Sequence, residues 1–158
     1  MRVGCYPGSF DPPTVAHLAI AEAAVEQGGL DRLELVLSRT ALGKEGRQRS
    51  PVEERVAALE AMGLTAVVTD RRLVAEIAEG YDVLVVGADK WAQLLDPAWY
   101  PTPEAHAAAL AGLPRVLVAP RAGYPVPDGV EVLDIHPDHH HVSSTAVAEG
   151  RDDWRARP

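Results

Sequence analysis

One cysteine, one phenylalanine and two lysines stand in a chain of 158 residues. With Cys5 alone, no disulfide can close within the chain, and one mark of an oxidising compartment is missing. Its setting at the start of an apolar run predicts a buried, unreactive thiol. No apolar stretch approaches the ~20 residues that a membrane-crossing helix needs. The N-terminus also lacks the basic-then-apolar pattern of a secretory signal, so a cytoplasmic location is the expectation. Basic residues number 15 against 23 acidic ones, a net charge of −8. That balance excludes a global attraction to nucleic acid or to an anionic membrane and leaves room only for a local basic site. There is no Gly-x-x-x-x-Gly-Lys-Ser/Thr loop, and no serine or cysteine nucleophile has a matched base.

What is present is the composition of a globular protein, 47% hydrophobic and 24% charged, with length for a single domain over residues 1–158. Short apolar runs alternate with helical patterns. Strands are expected at Arg2–Tyr6, Leu33–Leu37, Leu64–Thr69, Val83–Val86, Val116–Ala119 and Val130–Leu133. Helices are expected at Ala16–Gln27, from Ser50 as N-cap with Pro51 as first helical residue to Met62, and at Arg71–Ala78. Three more follow at Lys90–Leu95, Glu104–Leu110 and Ser143–Glu149. Pro120–Gly129 reads as a loop. Strand and helix in alternation with short links predict an α/β fold with a Rossmann-like, doubly wound parallel sheet.

In such sheets ligands sit beyond the carboxyl ends of the strands, where the strand order reverses. The loop from Pro7 to His17 leaves the first strand there and enters the first helix. Gly8 permits close backbone approach, two prolines stiffen the turn, and the helix N-terminus favours an anion. Thr14 and His17, three apart, share one face of the first helical turn. Further along, Arg39, Lys44, Arg47 and Arg49 bring positive charge to the loop after the second strand. Gly87-Ala88-Asp89 follows the most apolar strand, and Trp99-Tyr100 supplies aromatic faces, with Trp91 as a competitor. Val142-Ser143-Ser144-Thr145 opens the last helix with three hydroxyls in a row. His136, His139, His140 and His141 lie in a Pro/Asp loop without the spacing of a rigid metal site, so no protein-bound metal is expected. His106 reads as a surface residue.

Gly8-Ser9-Phe10-Asp11-Pro12 with Thr14 and His17 resembles the signature of the nucleotidylyltransferase superfamily, whose members carry a (His/Thr)-x-Gly-His motif at this loop. The family's glycine is Ala16 here. The resemblance implies a nucleotidylyltransferase fold and adenylyl transfer from ATP to a small phosphate-bearing acceptor, with Mg2+ bridging the ATP phosphates and no covalent intermediate. His17, Thr14 and Lys44 take catalytic places by that resemblance. Gly8, Ser9, Phe10, Gly87, Asp89, Ser143, Ser144 and Thr145 join His17 in holding the nucleotide. Lys44, Trp99, Tyr100 and Arg121 face the acceptor. Gly87-Ala88-Asp89, Trp99-Tyr100 and Arg121-Ala122-Gly123-Tyr124 resemble nicotinate-mononucleotide adenylyltransferases, an activity of NAD biosynthesis. The opening Tyr6 to Pro12, with Thr14, looks more like phosphopantetheine adenylyltransferase, an activity of coenzyme A biosynthesis, and another cytidylyltransferase-like activity is a further alternative that the resemblance leaves open. Substrate-side residues favour nicotinate mononucleotide. The Ser-Ser-Thr stretch resembles an Ile-Ser-Ser-Thr-x-x-Arg motif whose arginine falls on Ala148, with Arg151 one turn later. Because Ala16 and Ala148 replace two motif residues, a nucleotide-binding sensor without turnover is the reading of a different class. Homo-oligomers are common in both related families, and no interface is legible here.

Overall fold

The computed structural model describes residues 1–39 and 50–158. Six strands are ordered in one sheet as β3-β2-β1-β4-β5-β6, and every neighbouring pair runs parallel. They are β1 (Val3–Pro7), β2 (Arg32–Ser38), β3 (Thr65–Thr69), β4 (Val83–Gly87), β5 (Arg115–Ala119) and β6 (Glu131–Val132). The helices are α1 (Val15–Gly28), α2 (Val52–Ala61), α3 (Val74–Ile77), α4 (Ala88–Leu95), α5 (Pro103–Ala111) and α6 (Ser144–Ala148). This is the expected doubly wound α/β sheet.

Successive strand residues point to opposite faces, and here both faces are apolar. Tyr6, Leu33, Leu35, Leu37, Val83, Val85 and Leu117 pack on one side against α1 and Leu59 of α2. Cys5, Val36, Leu84, Val86 and Val118 pack on the other against Ile77, Trp91 and Leu94 of α3 and α4. Continuous apolar strands are what a sheet covered on both faces requires. Cys5 is fully buried, and loss of solvation pushes its thiol up to about 12, so it is inert as expected. Among the described residues, no helix is long and apolar enough to cross a membrane.

Local departures from the sequence expectations have identifiable causes. Ser50 does not cap α2; Pro51 occupies that position without a side-chain cap. Ser50 is instead held through its backbone, its N–H donating to Asp11 Oδ2 at 2.9 Å and its carbonyl accepting from Arg55 Nε at 3.0 Å. The helix expected from Arg71 shrinks to a single turn at Val74–Ile77. The Arg71 carbonyl accepts from Ser38 Oγ and its N–H donates to Thr69 Oγ1, so that segment is tied to the sheet edge before helix can begin. His106 is not a plain surface residue: its Nε2 lies 3.0 Å from the Leu94 carbonyl and its ring 4.8 Å from that of Tyr100.

Candidate active site

The strand order reverses between β1 and β4, which pair side by side through Gly4–Val83 and Cys5–Leu84. Chain leaving β1 and chain leaving β4 enter helices on opposite faces, and a crevice opens between them. That crevice is a cleft of about 1060 Å3. It draws together residues remote in sequence: the β1–α1 loop, the β4–α4 junction, the segment after β5, the start of α6 and Arg155 from the C-terminal tail.

The first loop is built around its one phenylalanine. Phe10 sits at φ 50, an uncommon conformation for a residue with a side chain, and its ring is 2% exposed. The ring stands edge-on to Tyr6 at 5.1 Å and to His17 at 4.8 Å. A Cβ on Gly8 would lie 2.9 Å from Phe10 Cζ. Gly8 is therefore required by the packing of this ring, a different reason from the ligand approach that the sequence suggested. Gly8→Ala is expected to cost about 1–3 kcal/mol through overpacking, a fall of roughly 2–12 °C in melting temperature for a domain of this size. Thermal unfolding of the variant checks this, and an unchanged Tm would show that the ring yields freely. Tyr6 lies beneath the loop, and burial, then the charge of Asp89, push its phenol up while Arg121 pulls it down. It remains a protonated hydroxyl throughout the physiological range.

Thr14 and His17 form a reciprocal cap on α1. The Thr14 side chain accepts from the His17 N–H at 3.4 Å, and His17 Nδ1 accepts from the Thr14 N–H at 2.9 Å. This is a capping box with histidine in the place usually held by Glu or Gln. An Nδ1 that accepts from an amide cannot carry a proton, so the neutral ring bears its hydrogen on Nε2. The imidazole is thereby presented as a donor on the wall of the cleft, at the positive end of a 14-residue helix. Val15 and Ala16 contribute the remaining first-turn amides. The methyl of Ala16 is buried at this wall.

The other expected residues divide. Ser9 lines the cleft, and its carbonyl accepts from Arg55 Nη1 at 3.0 Å. Gly87 caps α4, and a Cβ there would lie 2.7 Å from Asp89 Oδ1, so glycine leaves room for that carboxylate. Asp89 in turn pairs with Arg121 at 2.7 Å across the ends of β4 and β5. Both line the cleft, and Arg121 also stands over the Tyr124 ring at 5.9 Å. Two of the three hydroxyls that open α6 are used inside the protein. Ser143 caps the helix by accepting from Ala146 N, and Ser144 Oγ donates to the Pro12 carbonyl at 2.7 Å. Thr145 is the third, and all three line the cleft with Ala148.

Trp99 and Tyr100 are not brought into this cleft. They line a separate small hollow with Arg72, Leu73 and Gln93, and Lys90 borders both. Trp91 is buried in the core on the α4 side. Lys44, Arg47 and Arg49 lie outside the described residues. Of the histidine cluster, His139 reaches the cleft, His140 Nε2 lies 3.0 Å from the Ile135 carbonyl, and His136 faces Asp138. Among the described residues no three His, Cys, Asp or Glu side chains group as a metal site. Sequence reasoning missed Arg155 altogether and did not foresee the buried roles of Tyr6 and Arg55. The one sequence feature that could have pointed to Arg55 is the Glu53-Glu54-Arg55 run at the start of α2.

Comparison with known proteins bears on the family and the fold. The cytidylyltransferase-like family model matches residues 5–150. A probable nicotinate-nucleotide adenylyltransferase of Albidiferax ferrireducens is 34% identical over 117 residues, 63% of this chain and 58% of that one. A phosphopantetheine adenylyltransferase of Desulforamulus reducens is 44% identical over 63 residues, 38% of this chain and 34% of that one. The chain thus spans about a third to three fifths of these relatives' lengths. A solved structure of Plasmodium falciparum nicotinic acid mononucleotide adenylyltransferase complexed with APC superposes with a TM-score of 0.63 over 94% of this chain and 82% of that one. At 12% identity that likeness speaks for the fold alone. With a family model spanning nearly all of the sheet and the first-loop cap where the strand order reverses, the chain belongs to the cytidylyltransferase-like family of nucleotidyltransferases.

Proposed function

We propose that this protein transfers the adenylyl group of ATP to a small phosphate-bearing acceptor, nicotinate mononucleotide in the first instance. The observation that carries the reading is the capped His17, a fixed Nε2–H donor at the N-terminus of α1 inside the switch-point cleft. The Albidiferax relative's name supports nicotinate mononucleotide as acceptor. The Desulforamulus relative matches the chain at higher identity over a shorter stretch, and phosphopantetheine is the second acceptor on that ground.

The chemistry asks for positioning and charge neutralisation more than proton transfer. The acceptor's phosphate oxygen attacks the α-phosphorus of ATP. As that P–O bond forms, the bond to the β-phosphate oxygen breaks, and its electron pair leaves on pyrophosphate. His17 Nε2–H and the first-turn amides of α1 donate to phosphate oxygens as charge builds on them. Arg121, held by Asp89, and Lys90 keep the opposite wall cationic toward the acceptor's phosphate. Lys44 is assigned to the phosphates on the family resemblance.

The donor set suits magnesium carried in on the nucleotide. Two of the wall's carboxylates already accept from protein donors, Asp11 from the Ser50 amide and Asp89 from Arg121. Mg2+ is commonly held by substrate phosphates with few protein ligands. When bound it neutralises charge on the phosphates.

Pyrophosphate release in the presence of Mg2+ tests the reading, with ATP or CTP paired with nicotinate mononucleotide, nicotinamide mononucleotide or phosphopantetheine. Release with ATP and nicotinate mononucleotide is the expected result. Release only with phosphopantetheine would move the acceptor. A melting temperature raised by ATP without release from any pair would make the protein a nucleotide-binding sensor.

A further inference from the structure

Ala148 puts only a methyl group on the α6 wall of the cleft. The chain beyond it does not run off into solvent. Helix α6 ends in a Schellman turn: Gly150 N–H bonds to the Val147 carbonyl and Arg151 N–H to the Ala146 carbonyl, with Gly150 at φ 127. The tail then folds back over the first loop. Arg155 forms an antiparallel bridge with Thr14, and the Ala156 N–H donates to the Pro13 carbonyl at 3.0 Å. Ala156 is buried by this contact. The tail is therefore strapped to the residues that cap α1, and its arginine lines the same cleft as His17 and Ala148.

We propose that Arg155 is a nucleotide-binding residue, a cation delivered by the C-terminal tail to the triphosphate beside His17. The proposal deepens the adenylyl-transfer reading and rests on it. Arg155 Nε is paired with Asp152 at 3.0 Å, and that one carboxylate also serves Arg157. Two guanidinium groups share a single negative charge. Such exposed pairs are weak, so a triphosphate, with more charge and room for bidentate bonding, takes the guanidinium from Asp152. Glu149, which also lines the cleft, makes a compensating cation at this wall more necessary for an anionic ligand. Arg151 is nearer to α6 in sequence but is turned elsewhere. It grips Asp153 through Nε and Nη2, its guanidinium 3.8 Å from the Trp154 ring centre.

The test compares the wild-type chain with Arg155→Gln, Arg151→Gln and the double variant Arg155→Gln with Ala148→Arg. Equilibrium binding of MgATP alone and KM for ATP are both read. Arg155→Gln is expected to weaken both by about tenfold or more, to leave KM for the acceptor unchanged and to leave the ligand-free Tm within about a degree. Arg151→Gln is expected to behave as wild type, and Ala148→Arg to restore ATP affinity from α6, which lines the same cleft. Unchanged ATP binding in Arg155→Gln would overturn the assignment while leaving adenylyl transfer standing. Failure of Ala148→Arg to rescue, or a loss that falls equally on the ligand-free Tm, would reduce Arg155 to a structural strap and overturn it too. If the wild-type chain neither binds MgATP nor releases pyrophosphate, both readings fall together.

Discussion

His17→Gln is expected to fold like the parent chain and to release pyrophosphate about 10²–10³ times more slowly, a loss of roughly 3–4 kcal/mol of transition-state stabilisation. Glutamine is chosen because position 17 has two separable duties. In the capping box the side chain accepts from the Thr14 N–H, and glutamine does this at the third helical position as well as histidine. The imidazole's other duty, donating from Nε2 into the cleft, has no counterpart of the same shape and reach. Alanine would confuse the two, since losing a cap alone costs about 0.5–2 kcal/mol. The checking measurements are Tm and kcat with saturating MgATP. A glutamine variant with wild-type Tm and wild-type turnover would remove His17 from the chemistry.

Arg55→Met should be the most damaging single change to the fold of the site. Arg55 is 5% exposed and donates to the carbonyls of Ser9 and Ser50, each at 3.0 Å. It joins the nucleotide loop to the start of α2, and Asp11 closes the link by accepting from the Ser50 N–H. Methionine fills much of the space but leaves two carbonyls without their donor. Charge-assisted bonds of this kind are worth about 1.5–3 kcal/mol each, so a loss of about 3 kcal/mol, or roughly 6–12 °C in Tm, is expected. Arg55→Lys keeps the charge but not the fork that reaches two acceptors, and should recover part of the stability and little of the pyrophosphate release. Melting curves of both variants decide it. A Tm within about 2 °C of wild type for Arg55→Met would show that water serves these carbonyls equally well.

The fold was legible because its signals are local. Val83 to Val86 reads as a strand covered on both faces from its own four residues, and all four lie in the core. Thr14 and His17 were placed on one helical face by spacing alone, and they meet there. The errors arose where distant residues compete for a segment. Ser50 looked like a cap until Asp11 and Arg55 claimed its backbone. Ser143, Ser144 and Thr145 stand as three hydroxyls in a row and all line the cleft, yet no local pattern tells that Ser144 bonds to Pro12, 132 positions away. The Trp99-Tyr100 pair carried an aromatic signal with no information about which side of Lys90 it would occupy.

By itself, then, the sequence determined the element order, the two-faced sheet and the loop that holds His17. Periodicity, turn residues and helix caps are short-range physics that any window of the chain expresses. Only the tertiary structure decided which side chains share the cleft. It paired Asp89 with Arg121, buried Phe10 as the floor under His17 and brought Arg155 back to Thr14. Those contacts join residues from 7 to about 140 positions apart, and their partners are chosen by packing across the sheet, a choice no local pattern records.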